Sequence, residues 1–179
     1  MLEIKNTVLV VVDVQGKLAQ LMHEKELLFK NIRILIQACQ ILNIPILWCQ
    51  QVPSALGPTV PEIAELLTQE KPIDKARFSC CGCGEFIERL RALGRGKALL
   101  CGIEAHVCMY QTAADLLRSG YQVNVIADAV SSRTEENKQI GLSRIAASGG
   151  NISSTETALF ELLRTAEHPM FKQIAGLVK

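Results

Sequence analysis

Thr7-Val8-Leu9-Val10-Val11-Val12-Asp13 is an unbroken, mostly β-branched apolar run closed by a carboxylate. A strand covering a core on one face only would alternate apolar and polar residues. This run has no polar side to give to water, so it reads as a strand buried on both faces, the habit of parallel sheets. Downstream, Leu27, Leu28, Ile32, Leu35, Ile36 and Cys39 recur at three- and four-residue spacing, predicting an amphipathic helix from Glu24 to Leu42. Strand and helix then alternate: Ile44–Cys49 a strand, Glu85–Leu93 a helix, Ala98–Cys101 a strand, and Val107–Arg118 a helix capped by Gly120. Val123–Ala127 is the next strand, Glu135–Ser148 a helix ending at Gly149-Gly150, and a short last strand starts near Asn151. This alternation predicts right-handed crossovers and a three-layer αβα, Rossmann-like fold. Its sheet should be mostly parallel, of about six strands with helices on both faces, and its ligand site should lie at the strand C-termini.

The chain has 179 residues, 49% of them hydrophobic, enough for one buried core, and no repeat or linker divides it, so one domain over residues 1–179 is expected. Nineteen basic and eighteen acidic residues leave a net charge of +1 without long blocks of either sign. That balance argues against nucleic acid and membrane as partners. No apolar stretch reaches the roughly 18 residues that would span a bilayer. Seven cysteines form no even disulfide framework, and Cys39, Cys49 and Cys101 lie in apolar runs. With a strand beginning within a few residues of Met1, no leader peptide is expected; a reducing, cytoplasmic location follows, with organellar import left open.

Three positions invite chemistry. Asp13 follows the first strand, where a carboxylate is either a helix cap or a group aimed into the crevice above the sheet. Cys108 closes Gly102-Ile103-Glu104-Ala105-His106-Val107-Cys108 and opens the next helix. There the helix amides and dipole should favour a thiolate and accommodate an oxyanion, although any one of seven cysteines is by default a packing residue. Lys75 sits in the extended stretch Lys71-Pro72-Ile73-Asp74-Lys75-Ala76-Arg77-Phe78, after the irregular, proline-bearing segment 50–71 with its short helical stretch around Glu62–Leu67. By itself it reads as a solvated lysine.

Val11-Val12-Asp13-Val14-Gln15, Lys75 ahead of Phe78, and Cys101-Gly102-Ile103-Glu104-Ala105-His106-Val107-Cys108, together with Leu56-Gly57-Pro58-Thr59-Val60-Pro61-Glu62, resemble the isochorismatase-like cysteine hydrolases. Within that family they look most like its isochorismatase-domain-containing proteins. The resemblance runs in order over nearly the whole chain. It implies a catalytic set of Asp13, Lys75 and Cys108, a cis peptide bond between Ile103 and Glu104, and oxyanion donors in the amides of Glu104 and Cys108. Gln15, Phe78, His106 and Tyr110 are candidate substrate contacts. Family members that hydrolyse nicotinamide carry an Asp-x-His-type metal motif after the second strand. Here the chain reads Trp48-Cys49-Gln50-Gln51-Val52-Pro53, so no metal is expected. Presence of the cysteine argues against a vinyl-ether substrate.

Cys80-Cys81-Gly82-Cys83 contains one Cys-x-x-Cys spacing, but a structural zinc needs four ligands and no second pair completes it. Glycine-rich phosphate signatures are absent, so no nucleotide cofactor is expected. The function expected is metal-independent hydrolysis of a small amide-like substrate through a thioacyl intermediate, with no cofactor, in a homo-oligomer. The competing expectation is a catalytically weak or inactive relative serving as an interaction or oligomeric module.

Overall fold

The computed structural model describes residues 1–179. Its centre is a six-stranded sheet in the order β3-β2-β1-β4-β5-β6, parallel at every pairing. The strands are β1 (Thr7–Val12), β2 (Ile46–Gln51), β3 (Ile73–Lys75), β4 (Lys97–Ile103), β5 (Gln122–Ser131) and β6 (Asn151–Ser153). All six residues of β1 are buried, as its continuous apolar run requires. They alternate between the two faces: Leu9 and Val11 join one core, Val8, Val10 and Val12 the other.

Nine helices cover the sheet: α1 (Gly16–Gln20), α2 (Lys25–Ile41), α3 (Pro53–Leu56), α4 (Pro61–Ala64), α5 (Gly84–Ala92), α6 (Tyr110–Arg118), α7 (Glu135–Ala147), α8 (Thr155–Leu163) and α9 (Phe171–Leu177). Apolar faces of α2, α8 and α9 pack with Leu9 and Val11; those of α5, α6 and α7 pack with Val8, Val10 and Val12. No helix is long and apolar enough to cross a membrane.

The expected alternation and layering stand, with differences at the ends. β2 begins two residues later than Ile44 and extends through Gln51, and β5 runs on to Ser131 through a register shift in its pairing with β4. The helix read from Val107 is preceded by a wide π turn, Ala105–Met109. Helices α8 and α9 are additions to the sequence reading. Ser154 caps α8 by accepting from the Thr157 amide, and Ala158, Leu159, Leu162 and Leu163 form its buried stripe.

The neighbours of β1 are reached in opposite directions along the chain, outward through β2 to β3 and outward through β4 to β6. The winding therefore switches direction between β1 and β4, and the carboxyl ends of strands at such a switch are where open α/β sheets bind their ligands.

Candidate active site

Asp13 leaves the end of β1 with φ of 55°, a left-handed conformation that aspartate tolerates better than most residues. Its amide still donates to Cys49 O at 3.1 Å, so the turn stays tied to β2. Gly102 lets β4 run against this turn: with φ of 124°, a Cβ there would lie 2.1 Å from Val12 O. The carboxylate is thereby fixed at the carboxyl edge of β1 beside β4, and Asp13 is only 3% exposed.

Lys75 is the last residue of β3, opposite Gln51, the last residue of β2. Its ammonium donates to Asp13 Oδ2 at 2.7 Å and Gln51 Oε1 at 2.6 Å, and to the carbonyls of Phe78 at 3.0 Å and Arg77 at 3.2 Å. The side chain is fully enclosed. A solvated lysine is the wrong description here; this cation is held by a ring of acceptors inside the protein.

Cys108 lies on the π turn that follows β4. The peptide bond between Ile103 and Glu104 is cis. Glu104 O accepts from both Val107 at 3.0 Å and Met109 at 3.1 Å, while no backbone carbonyl accepts from the Glu104 amide. The Glu104 side chain turns outward to Arg133, whose Nε donates to Oε1 at 3.0 Å. Helix α7 clamps the turn from behind at Gly141, where a Cβ would sit 2.4 Å from Ala105 C. Gly141→Ala, which in a free helix would gain about 1 kcal/mol, is therefore expected to lose about 1–3 kcal/mol by overpacking. Urea denaturation measures it; a stabilised variant would show that the turn yields freely.

Charge and burial set the proton positions. Burial pushes the Asp13 carboxyl up, while the Lys75 ammonium and then the Cys108 thiol pull it down. Burial disfavours the Lys75 cation, but Asp13 foremost, with the thiols of Cys80 and Cys108, outweighs it and moves Lys75 up. Cys108 is pushed above the ordinary thiol range by burial, then by the Asp13 charge, with Lys75 opposing. The expectation of a thiolate is thus opposed: Cys108, a 7% exposed residue beside a carboxylate, is moved toward the protonated thiol. Asp13 Oδ1 is buried without a hydrogen-bond partner, an acceptor facing a site whose available proton is that of Cys108.

The other expected contacts divide. His106 is half-buried, its Nδ1 3.0 Å from Ser132 Oγ. Phe78 gives the lysine its carbonyl, while the residue is 53% exposed. Tyr110 is held against α7, its hydroxyl accepting from Arg144 at 2.7 Å with that guanidinium over its ring. Gln15 is corrected from substrate contact to brace: it is fully buried, its Nε2 donates to Gln51 O and Gly57 O, and its Oε1 accepts from Gln51 N. Trp48 likewise serves the structure, donating to Thr59 Oγ1 at 2.8 Å. Sequence reading passed over Gln51, a glutamine at a strand end with no local signal beyond its place at the C-terminal edge.

Cys80 is buried beside Cys49, whose thiol is pushed up by a hydrogen bond with Cys80 and by burial. Cys83 Sγ donates to Asp74 O at 3.7 Å. No group of three or more His, Cys, Asp or Glu side chains is gathered to hold a metal.

Known proteins match this chain along its length. The isochorismatase domain model covers residues 7–157. Isochorismatase domain-containing protein 2 of Danio rerio is 41% identical over 180 residues, spanning 99% of this chain and 89% of that protein. A secreted isochorismatase effector of Phytophthora sojae is 39% identical, spanning 97% and 85%. Among solved structures, the MAR1 ribonuclease of Caenorhabditis elegans superposes with a TM-score of 0.93 at 35% identity, spanning 99% of this chain and 91% of that one.

Proposed function

The chain belongs to the isochorismatase family, within the hydrolase superfamily, and from that premise we propose that it is a metal-independent cysteine hydrolase of small amide-like substrates. The observation that carries this reading is the closed triplet of a cation, a half-unpartnered carboxylate and a thiol at the carboxyl ends of β3, β1 and β4. Each group is supplied with what the next needs. Lys75 keeps Asp13 ionised, and Asp13 Oδ1 is free to accept.

When a carbonyl enters, Asp13 takes the thiol proton as Cys108 Sγ attacks carbon, and the C=O π pair moves to oxygen. Amides at the turn, Glu104 and Cys108, stabilise that oxyanion. Collapse re-forms the C=O bond and breaks C–N, and the departing nitrogen takes the proton from Asp13. Water, deprotonated by Asp13, then adds to the thioester and releases the acid and the thiol. At the positions where a metal motif would stand, Trp48 is tied to Thr59 and Gln51 to Lys75, which supports chemistry without a metal.

The enclosed site favours a small molecule over a polymer. The worm relative is named a ribonuclease, so RNA is the competing substrate class. A panel of small carboxamides and an RNA pool decide between them: ammonia or amine release with an acyl mass added to Cys108 is the expected result. RNA cleavage without any acyl adduct would replace the amide reading. The same reading takes residues 1–179 as one hydrolase domain in a reducing compartment, consistent with seven unpaired thiols, although the Phytophthora relative is named as secreted. It also takes the protein as a homo-oligomer, to which exposed Leu21, Phe78 and Ile140 would contribute.

A further inference from the structure

We propose that Gln51 is a positioning residue of this hydrolase, its amide oxygen holding the Lys75 ammonium charged and in place between Asp13 and the thiol. The inference rests on the Asp13–Lys75–Cys108 reading and extends it by one residue.

Geometry makes Gln51 specific to this task. It is the register partner of Lys75 across β2 and β3, so the two side chains leave the sheet side by side. Its Oε1 lies 2.6 Å from Lys75 Nζ, as short as any contact that ammonium makes. Its Nε2 donates to Ala76 O at 2.9 Å, which orients the amide with oxygen toward the lysine. Its backbone is clasped at both ends by Gln15, whose Oε1 accepts from Gln51 N at 2.6 Å and whose Nε2 donates to Gln51 O at 3.1 Å. Every polar atom of the Gln51 residue is thus engaged within the protein, and the residue is 8% exposed.

An ammonium has three N–H donors and no acceptor. Four acceptors surround those three protons, and the Gln51 amide oxygen at 2.6 Å stands closer than the carbonyls of Phe78 and Arg77 at 3.0 and 3.2 Å, so with Asp13 it makes the tightest hold on the enclosed cation. Loss of the acceptor would free Nζ to move toward the carbonyls of Arg77 and Phe78 and to release its proton sooner. Cys108 would then lose the cation that favours its thiolate.

The test is the pH dependence of Cys108 alkylation by iodoacetamide, followed by peptide mapping, which needs no knowledge of the substrate. Gln51→Met and Gln51→Leu keep the bulk and remove the acceptor; Gln51→Glu keeps an acceptor but loses the donor to Ala76. Lys75→Met is the control, and thermal melting reports that each variant is folded. Expected for Gln51→Met and Gln51→Leu is an alkylation midpoint raised by about one pH unit, hence about tenfold slower labelling at neutral pH. Gln51→Glu should recover most of that loss. A wild-type profile in the Met and Leu variants, beside a shifted Lys75→Met, overturns the role of Gln51 while leaving the triplet standing. Equal loss in all three Gln51 variants assigns the effect to the Ala76 contact and also overturns it. An unshifted Lys75→Met sinks the triplet reading and this inference with it.

Discussion

Cys108→Ser is expected to lower kcat by about a thousandfold or more, and Cys108→Ala to abolish the covalent step entirely. Serine offers the same reach with a smaller, harder nucleophile whose proton is far less readily given up. Asp13 must take that proton in a site where burial already holds even a thiol above its ordinary range. The carboxylate is a weak base for such work, and Lys75 keeps it weaker by favouring its ionised form. A thiol is within reach of this pair; an alcohol is not. Turnover of an activated acetyl ester, with mass analysis for an acetyl group on Cys108, measures the effect. Undiminished hydrolysis in Cys108→Ser, or acetylation elsewhere in the wild-type protein, would remove Cys108 from the reaction. Six other thiols serve as internal controls, among them Cys39, buried and pushed up to about 12.

Lys75→Met carries the second large effect, on stability. It leaves Asp13 buried and unpaired, a loss of about 3–5 kcal/mol. The pH dependence follows from the carboxyl. Without the cation, burial acts on Asp13 with only the Cys108 thiol opposing it and raises its folded-state pKa further above the unfolded value, so the folded variant binds a proton that the unfolded chain does not. The deficit is therefore fully present above that folded value and shrinks as pH falls through it. In the wild-type protein Lys75 is raised, so its contribution is complete below the unfolded lysine value and fades only as pH climbs through the folded one. Urea titrations in mildly acidic and mildly alkaline buffer separate the cases. Combining Lys75→Met with Asp13→Asn should recover much of the loss, since a neutral pair strands no charge. A double variant no more stable than Lys75→Met would show that packing around Lys75, not charge, accounts for the loss.

How far the sequence could be read depended on whether a feature was local. Thr7–Val12 announced a strand buried on both faces because six consecutive apolar residues leave no polar side, and β1 is the centre of the sheet. Helix α2 was legible from its three- and four-residue spacing. Helix α8 also carries its signals locally, a cap at Ser154 and a buried stripe from Ala158 to Leu163. Asp13 and Cys108 were legible as candidates through their places after strand ends and through the family resemblance. The protonation of Cys108 was not. Proximity to a helix start is written in the sequence, but the burial and the facing carboxylate that push the thiol up come from β1 and β4 being adjacent.

By itself, then, the sequence determined the layered parallel fold and offered Asp13 and Cys108 as candidates after strand ends, since periodicity and residue chemistry are properties of short stretches; Lys75 joined them only through the family resemblance. Tertiary structure alone decided that Lys75 is enclosed, that Gln15 braces a strand end 36 positions away, and that Gln51 faces the lysine. Those facts depend on strand register and chain crossing, which bring together residues whose separation along the chain carries no trace of their contact.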